Sequence, residues 1–290
     1  MTGTAPARGR SLGQTGEQAT GPGGVGASAG VVHQEAVMGT VVTFEVFTAA
    51  PAPELGAALE RAVAWLHWVD DTFSTYKEAS MVNRFDRGEL QIGDCCPELR
   101  HIFSLCHRFN EETGGFFDAW ASGHFDPSGV VKGWSIEEAS RILVAAGLCD
   151  HSIDGGGDVR LRGAPGPGSP WRVGVRHPLV PRAYCADLSL DEAAVATSGT
   201  YERGLHVLDP FTGRPATDVV SVTIVGPDLT VADAYATAAL AMGGRAPAWL
   251  DGLAGYEALV VSAEGGGWCS RGFEALTVKT LAPRPVDGGL

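Results

Sequence analysis

The spacing of apolar and polar positions divides the chain into a mainly helical first half and a strand-rich second half. In "VMGTVVTFEVF" (37–47) β-branched and aromatic residues alternate with polar ones, which predicts a strand, with order beginning near Val31. Residues 53–70, "PELGAALERAVAWLHWVD", repeat apolar positions at helical spacing behind a Pro-Glu start. A second helix is predicted over 97–112, stopped at Thr113-Gly114-Gly115. "WSIEEASRILVAAGL" (134–148) predicts an amphipathic helix ended by Gly147. Beyond it, "HSIDGGGDVRLRG" and "WRVGVRHP" read as two strands around a Gly/Pro-rich turn. "CADLSLDEAAVATSG" and "GLHVLDP" read as another pair, and "VVSVTIVGP" as a β-rich run. "TVADAYATAALAMGG" predicts a helix with Thr230 as N-cap, and "YEALVVSA" with "FEALTVK" a closing hairpin. This distribution predicts an α+β fold, a mixed or antiparallel β-sheet core with flanking helices, rather than a doubly wound sheet. The sequence shows no internal repeat.

Composition narrows the picture. The first thirty residues are Gly/Ala/Thr-rich, with Leu12 and Val25 their only bulky apolar side chains apart from Met1, and are expected to form a disordered tail (1–30). A single domain is expected over 31–285. No hydrophobic stretch has signal-peptide length and none is long enough to span a bilayer, so a soluble, cytoplasmic protein is expected. A formal charge of −13 argues against a nucleic-acid binder. It leaves room for a phosphorylated small ligand, because a divalent metal can neutralise local charge. The six cysteines (Cys95, Cys96, Cys106, Cys149, Cys185, Cys269) include no C-x-x-C spacing and read as free thiols of a reducing compartment.

Several short segments carry candidate chemistry, each with a plainer alternative. Three glycines before Asp158 allow a ligand to approach the backbone, or make a tight turn; they are not a G-x-G-x-x-G fingerprint. Lys132, just ahead of the predicted helix at 134, opposes a helix dipole; an anionic ligand would explain it, as would simple solvation. Asp233 and Thr237 lie one helical turn apart, with Ala234, Ala236 and Ala238 leaving room beside them. A carboxylate and a hydroxyl are hard ligands suited to Mg²⁺, or a capping pair. Tyr76 with Phe116, Phe117 and Trp120 offers a stacking surface for a flat ring, or core. "AVATSGTYERGLHVLDPFTGRP" (194–215) sets hydroxyls, His206 and Asp209 between turn formers, as a catalytic loop or a polar connection. Together these segments describe a flat aromatic diphosphate ligand with Mg²⁺, which a flavin dinucleotide satisfies.

Eight landmarks in order, from Val37 to about Gly243, resemble the ApbE family of FAD:protein FMN transferases. They are "MGT" (38–40), "FSTY" (73–76), "TGGFFD" (113–118), "DPSGVVKGW" (126–134), "DGGGDVR" (154–160), "ATSGTYER" (196–203), "HVLDPFTGRPA" (206–216) and "ADAYATA" (232–238). The resemblance implies flavin contacts from Met38 and Tyr76 and an FAD pocket lined by Phe116, Phe117, Asp118, Asp126 and Lys132. Asp158 and Ser198 are placed with the same ligand wall. It implies Mg²⁺ held by the Gly129 carbonyl, Asp233 and Thr237, with Ala236 standing where many relatives have a second acid. The implied reaction is Mg²⁺-dependent transfer of FMN from FAD to a Ser/Thr hydroxyl of an acceptor protein, releasing AMP. Lys132 adds positive charge, and His206 is the candidate general base because imidazole titrates near neutrality. Two other readings are hydrolysis of FAD to FMN and AMP, and a non-catalytic flavin-binding or assembly protein. The chain is expected to depart from many relatives in having no export signal, and its "DAWASGHFDPSG" segment is compact where many relatives carry a longer insertion.

Overall fold

The structure is a computed structural model that describes residues 29–200 and 207–278. Residues 1–28 of the expected tail lie outside these residues, as does His206, while Ala29 and Gly30 are already paired with Thr48 and Phe47 in the first strand, so that strand begins two residues before Val31. Strands β1 (Ala29–Val37), β2 (Thr40–Thr48), β3 (His151–Gly155), β4 (Val159–Arg162), β7 (Ala193–Gly199), β10 (Val219–Gly226), β11 (Glu257–Ser262) and β12 (Gly267–Cys269) form an eight-stranded sheet. Its order is β1-β2-β3-β4-β7-β10-β11-β12, and every pairing is antiparallel. The α+β class is therefore observed, with an antiparallel rather than a mixed sheet.

Both faces of this sheet are covered at its middle strands, β4, β7 and β10, and period-two alternation sorts the side chains between them. Ala194 and Ala196 of β7 and Val222 and Ile224 of β10 enter one core. Their alternates Val195 and Val225 join Val159 and Leu161 in another. Helices α1 (Ala52–Phe73), α2 (Met81–Asp86), α3 (Pro97–Glu112), α4 (Ser128–Ala145) and α5 (Leu229–Met242) send their buried residues to the first core. The second is closed by the separate two-stranded sheet of β5 (Trp171–Arg176) and β6 (Tyr184–Leu190). Each Leu or Ile fully buried here, such as Leu66, Ile136 or Leu143, contributes roughly 1.5–3 kcal/mol by leaving water.

The structure differs from the sequence reading at several points. The run 37–47 is not one strand. Met38 (φ 53°) and Gly39 (φ 71°) are the two turn residues joining β1 to β2. Right-handed sheet twist favours this mirror-image turn, yet a Met at positive φ is strained. Helix α4 begins at Ser128, so Lys132 lies inside the helix rather than ahead of it. It is buried nearly all round through Leu143, not amphipathic. Glycines at 129 and 133 hide that start from a periodicity reading.

The pairing of the later strands also changes. "HSIDGGGDVRLRG" folds on itself as β3–β4, with Gly156 and Gly157 (φ 71° and 96°) in its turn. "WRVGVR" pairs instead with "YCADLSL". The segment following His206 forms the short hairpin of β8 (Leu208–Asp209) and β9 (Arg214–Pro215). Asp228, not Thr230, caps α5, its side chain accepting from the Val231 N–H at 3.1 Å. β12, "GWC", takes the place expected for "FEALTVK", because Arg271–Leu276 is a helix. The expected room beside Asp233 is filled: Ala234, Ala236 and Ala238 are wholly buried, their size letting α5 sit close to the sheet.

Candidate active site

The centre of the site is the crossing of α4 and α5, where backbone replaces side chain. A Cβ at Gly133 would lie 2.5 Å from the Leu229 carbonyl and 2.6 Å from Asp233 Cβ, so only glycine fits. The Gly133 N–H donates to Asp233 Oδ2 at 2.8 Å. One turn earlier, a Cβ at Gly129 would stand 3.2 Å from Thr237 Oγ1 and 3.3 Å from the Phe117 ring. Ser198, on β7, brings its hydroxyl to 3.3 Å from Thr237 Oγ1. Gly129, Ser198, Asp233 and Thr237 are thus gathered from three elements distant in sequence.

These donors are all oxygen, and the one carboxylate is nearly buried, Asp233 being 4% exposed. Among the described residues no group of three or more His, Cys, Asp or Glu side chains forms a metal cluster. The residues present therefore fit a hard cation that keeps part of its water shell and takes its remaining ligands from a bound phosphate, as Mg²⁺ does.

Beside this crossing, Lys132 Nζ lies 2.8 Å from Asp158 Oδ2. Asp158 is wholly buried, and its Oδ1 accepts from the Thr197 N–H at 3.1 Å. One carboxylate therefore ties the β3–β4 turn both to α4 and to the strand carrying Ser198. The same turn packs against β2, since a Cβ at Gly156 would meet Thr40 Oγ1 at 2.8 Å. On the same side, the Ser135 hydroxyl lies 2.8 Å from the Lys132 carbonyl and 3.6 Å from Met38 Sδ. The strained Met38 turn thus faces the second and third turns of α4.

Further out, Tyr76 and Asp126 share a cleft of ≈ 500 Å³ with Glu78, Asp86, Arg87 and His124. Tyr76 is 91% exposed. Its loop is nevertheless fixed: the Asn83 amide donates to the carbonyls of Ser74, Thr75 and Lys77 at 2.9–3.4 Å.

The predicted aromatic surface is divided. Phe117 is core, edge-on to Phe109 at 5.8 Å, and Trp120 packs with Phe103 and Phe125. Asp118 Oδ1 accepts from the Trp120 N–H at 2.8 Å. Phe116 turns the other way and meets Phe211 of the β8–β9 turn at 4.9 Å. Arg245 stacks over Phe116 at 4.4 Å and pairs with Asp209 Oδ2 at 2.7 Å, while Asp209 Oδ1 accepts from the Phe211 N–H. Burial works to raise the Asp209 carboxyl, but the Phe211 amide and the Arg245 guanidinium outweigh it and hold it below the usual carboxylate range. Sequence reasoning missed Arg245, Ser135 and Asn83. Only Asn83 carried a signal, as a polar residue in the first turn after a Ser cap.

Comparison with known proteins gives the family. The ApbE family model matches residues 38–123 and 121–260. The chain is similar to the FAD:protein FMN transferase of Vibrio cholerae, 33% identical over 130 residues covering 41% of this chain and 39% of that protein. It is similar to the FAD:protein FMN transferase of Escherichia coli, 29% identical over 168 residues covering 53% and 48%. In both pairs the match spans less than half of the relative. The crystal structure of the ApbE protein from Thermotoga maritima superposes with a TM-score of 0.77 at 24% identity, over 87% of this chain and 100% of that one, and shares the fold. The chain belongs to the ApbE family.

Proposed function

We propose that the protein transfers FMN from FAD to a Ser or Thr hydroxyl of an acceptor protein. The observation that carries this reading is the α4–α5 crossing, which sets Asp233, Thr237, Ser198 and the Gly129 backbone beside Lys132. Family membership and relatives that carry this activity in their names support it. Asp233, Thr237 and the Gly129 carbonyl would hold Mg²⁺, which supplies charge neutralisation at the diphosphate and the departing AMP. Lys132, kept in place by Asp158, adds a second positive charge there. In phosphoryl transfer such positioning and neutralisation do most of the work.

The acceptor oxygen attacks the phosphorus on the FMN side, and the bond from that phosphorus to the bridging oxygen breaks. AMP departs with the bridging oxygen, and the hydroxyl proton passes to His206. Met38 and Tyr76 contact the flavin in this reading, and Phe116, Phe117, Asp118, Asp126, Asp158 and Ser198 shape the pocket. The test is incubation with FAD, Mg²⁺ and a Ser/Thr acceptor protein, followed by intact-mass measurement and AMP assay. An acceptor gain of one FMN with matching AMP is expected. AMP without an adduct identifies a hydrolase, and FAD binding without AMP a flavin-binding protein; either overturns the proposal.

A further inference from the structure

Helices α4 and α5 touch along one stripe of each, and the stripe on α4 does not end at its glycines. Gly129, Gly133 and Glu137 stand four residues apart and so share a face. They meet Thr237, Asp233 and Leu229, also four apart, in reverse order. Glycines let two helices approach but carry no side chain that resists sliding. Glu137 closes the stripe with a fixed contact: its Oε2 accepts from the Leu229 N–H at 3.1 Å. That amide is the first of α5 and has no partner within its own helix, while the Asp228 cap takes the one two residues on. Asp233 follows one turn later.

The carboxylate is held from the other side by the sheet. Arg160 Nε donates to Glu137 Oε2 at 3.0 Å, and Arg162 donates to Oε1 at 2.9 Å. Glu137 is 1% exposed and Arg160 2%, so neither charge is shared with solvent. Burying two charges cancels much of what their attraction gives, and such a pair serves better to specify a register than to add stability. A second pair points the same way: Lys132 on α4 meets Asp158, two residues before Arg160. Five helical residues rise about 7.5 Å and two strand residues about 6.6 Å, so the two bridges span a similar interval. Their polarity is reversed. A slip by that interval sets Lys132 against Arg160, or Glu137 against Asp158, like charge on like.

We propose that Glu137 is a positioning residue for the metal site. Pinned to the sheet by Arg160 and Arg162, it takes the Leu229 N–H and fixes the axial register of α5 against α4. That register sets Asp233 and Thr237 against the Gly129 backbone. The inference rests on Mg²⁺ being held by those three residues, and adds one that acts on the metal only through α5.

Mn²⁺ in place of Mg²⁺ gives a readout that needs no turnover. EPR titration of Mn²⁺ into the full chain, alone and with ADP as a diphosphate lacking flavin, compares wild type with Glu137→Met, Glu137→Gln and Leu143→Ala. Glu137→Met keeps the length of the side chain and removes both acceptor oxygens. In Glu137→Gln the amide oxygen can still take the Leu229 N–H. Leu143→Ala, in the core on the same helix, is the control for lost stability alone. Glu137→Met is expected to weaken Mn²⁺ about tenfold, the scale of losing a contact that orients a metal ligand, and Glu137→Gln less. Leu143→Ala is expected to lower the melting temperature and keep the wild-type Mn²⁺ affinity. In AMP release from FAD, the Mg²⁺ concentration for half-maximal rate should rise with the Mn²⁺ constant, with the rate at saturating Mg²⁺ near wild type. Should Glu137→Met not fold, Glu137→Gln carries the same comparison. Wild-type Mn²⁺ affinity in every Glu137 variant that folds, or an equal loss in Leu143→Ala, overturns the inference and leaves the proposed transfer standing. A wild-type protein that binds no Mn²⁺ in either arm overturns both.

Discussion

At the α4–α5 crossing, contact is made by what the side chains omit: Gly133 and Gly129 let one helix backbone touch the carboxylate and hydroxyl of the other. At the Tyr76–His124 rim, contact is made by polar side chains spent on backbone, with Asn83 and Asp86 each fixing a loop. The first region is close-packed, so a methyl added at Gly133 must displace a helix. The second is exposed, with Tyr76 91% exposed, so each bond there competes with solvent and is individually cheap to lose. Under the proposed function, the rigid crossing serves the diphosphate and the exposed rim serves ring recognition.

The largest break in this contrast comes from Gly133→Ala. With backbone 2.5 Å away, the crossing must open, and a loss of about 3 kcal/mol or more is expected, roughly 6–12 °C in thermal unfolding. A Gly133→Ala protein as stable as wild type would mean that the helices do not meet as described.

Next comes a pH effect farther along α4, where it packs on β3. His151 is wholly buried between the Ser140 hydroxyl and the Leu148 carbonyl, each at 2.8 Å, and burial pushes its pKa down from 6.5 to about 4. The unfolded chain takes up this proton below pH 6.5 while the folded one resists it. Stability is therefore full above pH 6.5 and falls as pH drops toward about 4, by about 3 kcal/mol from this group. Urea unfolding of wild type and His151→Gln between pH 7 and 4 checks it; the variant should lose that part of the slope.

Rim changes should be smaller in stability and larger in ligand binding. Asn83→Ala is expected to cost about 1 kcal/mol in unfolding while raising the KM for FAD several-fold, because the Tyr76 loop loses its anchor. Arg245→Met is smaller still in stability. The arginine side chain is 56% exposed, so its pair with Asp209 contributes less than about 1 kcal/mol. Its predicted mark is a lowered kcat with KM for FAD unchanged, since it joins the end of α5 to the β8–β9 turn. Equal changes in kcat and KM would remove that role.

The two regions also differ in how far sequence could describe them. The strands at 219–226 and 257–262, the helices near 53–70 and 97–112, and the helix carrying Asp233 and Thr237 follow from local periodicity and are found close to where it put them, whereas the β1–β2 and β3–β4 hairpins do not. The start of α4 does not, because Gly129 and Gly133 are poor helix formers locally. They are there for a partner helix one hundred residues away. The β5–β6 pairing and the Asp158–Lys132 contact are non-local in the same way, as is the stacking of Arg245 on Phe116. Ordered motifs name the candidate residues, and no spacing in the sequence shows which of them meet.

The most direct test of the central claim, that the α4–α5 crossing handles a metal-bound diphosphate, is Mg²⁺-dependent AMP release from FAD by wild type and Asp233→Asn. The asparagine oxygen can still accept from the Gly133 N–H, so the crossing survives while the charge is lost. Saturable Mg²⁺ dependence in the wild type is predicted, with a rate lower by roughly 100-fold or more in the variant. AMP release at the wild-type rate and the wild-type Mg²⁺ requirement in Asp233→Asn would contradict it.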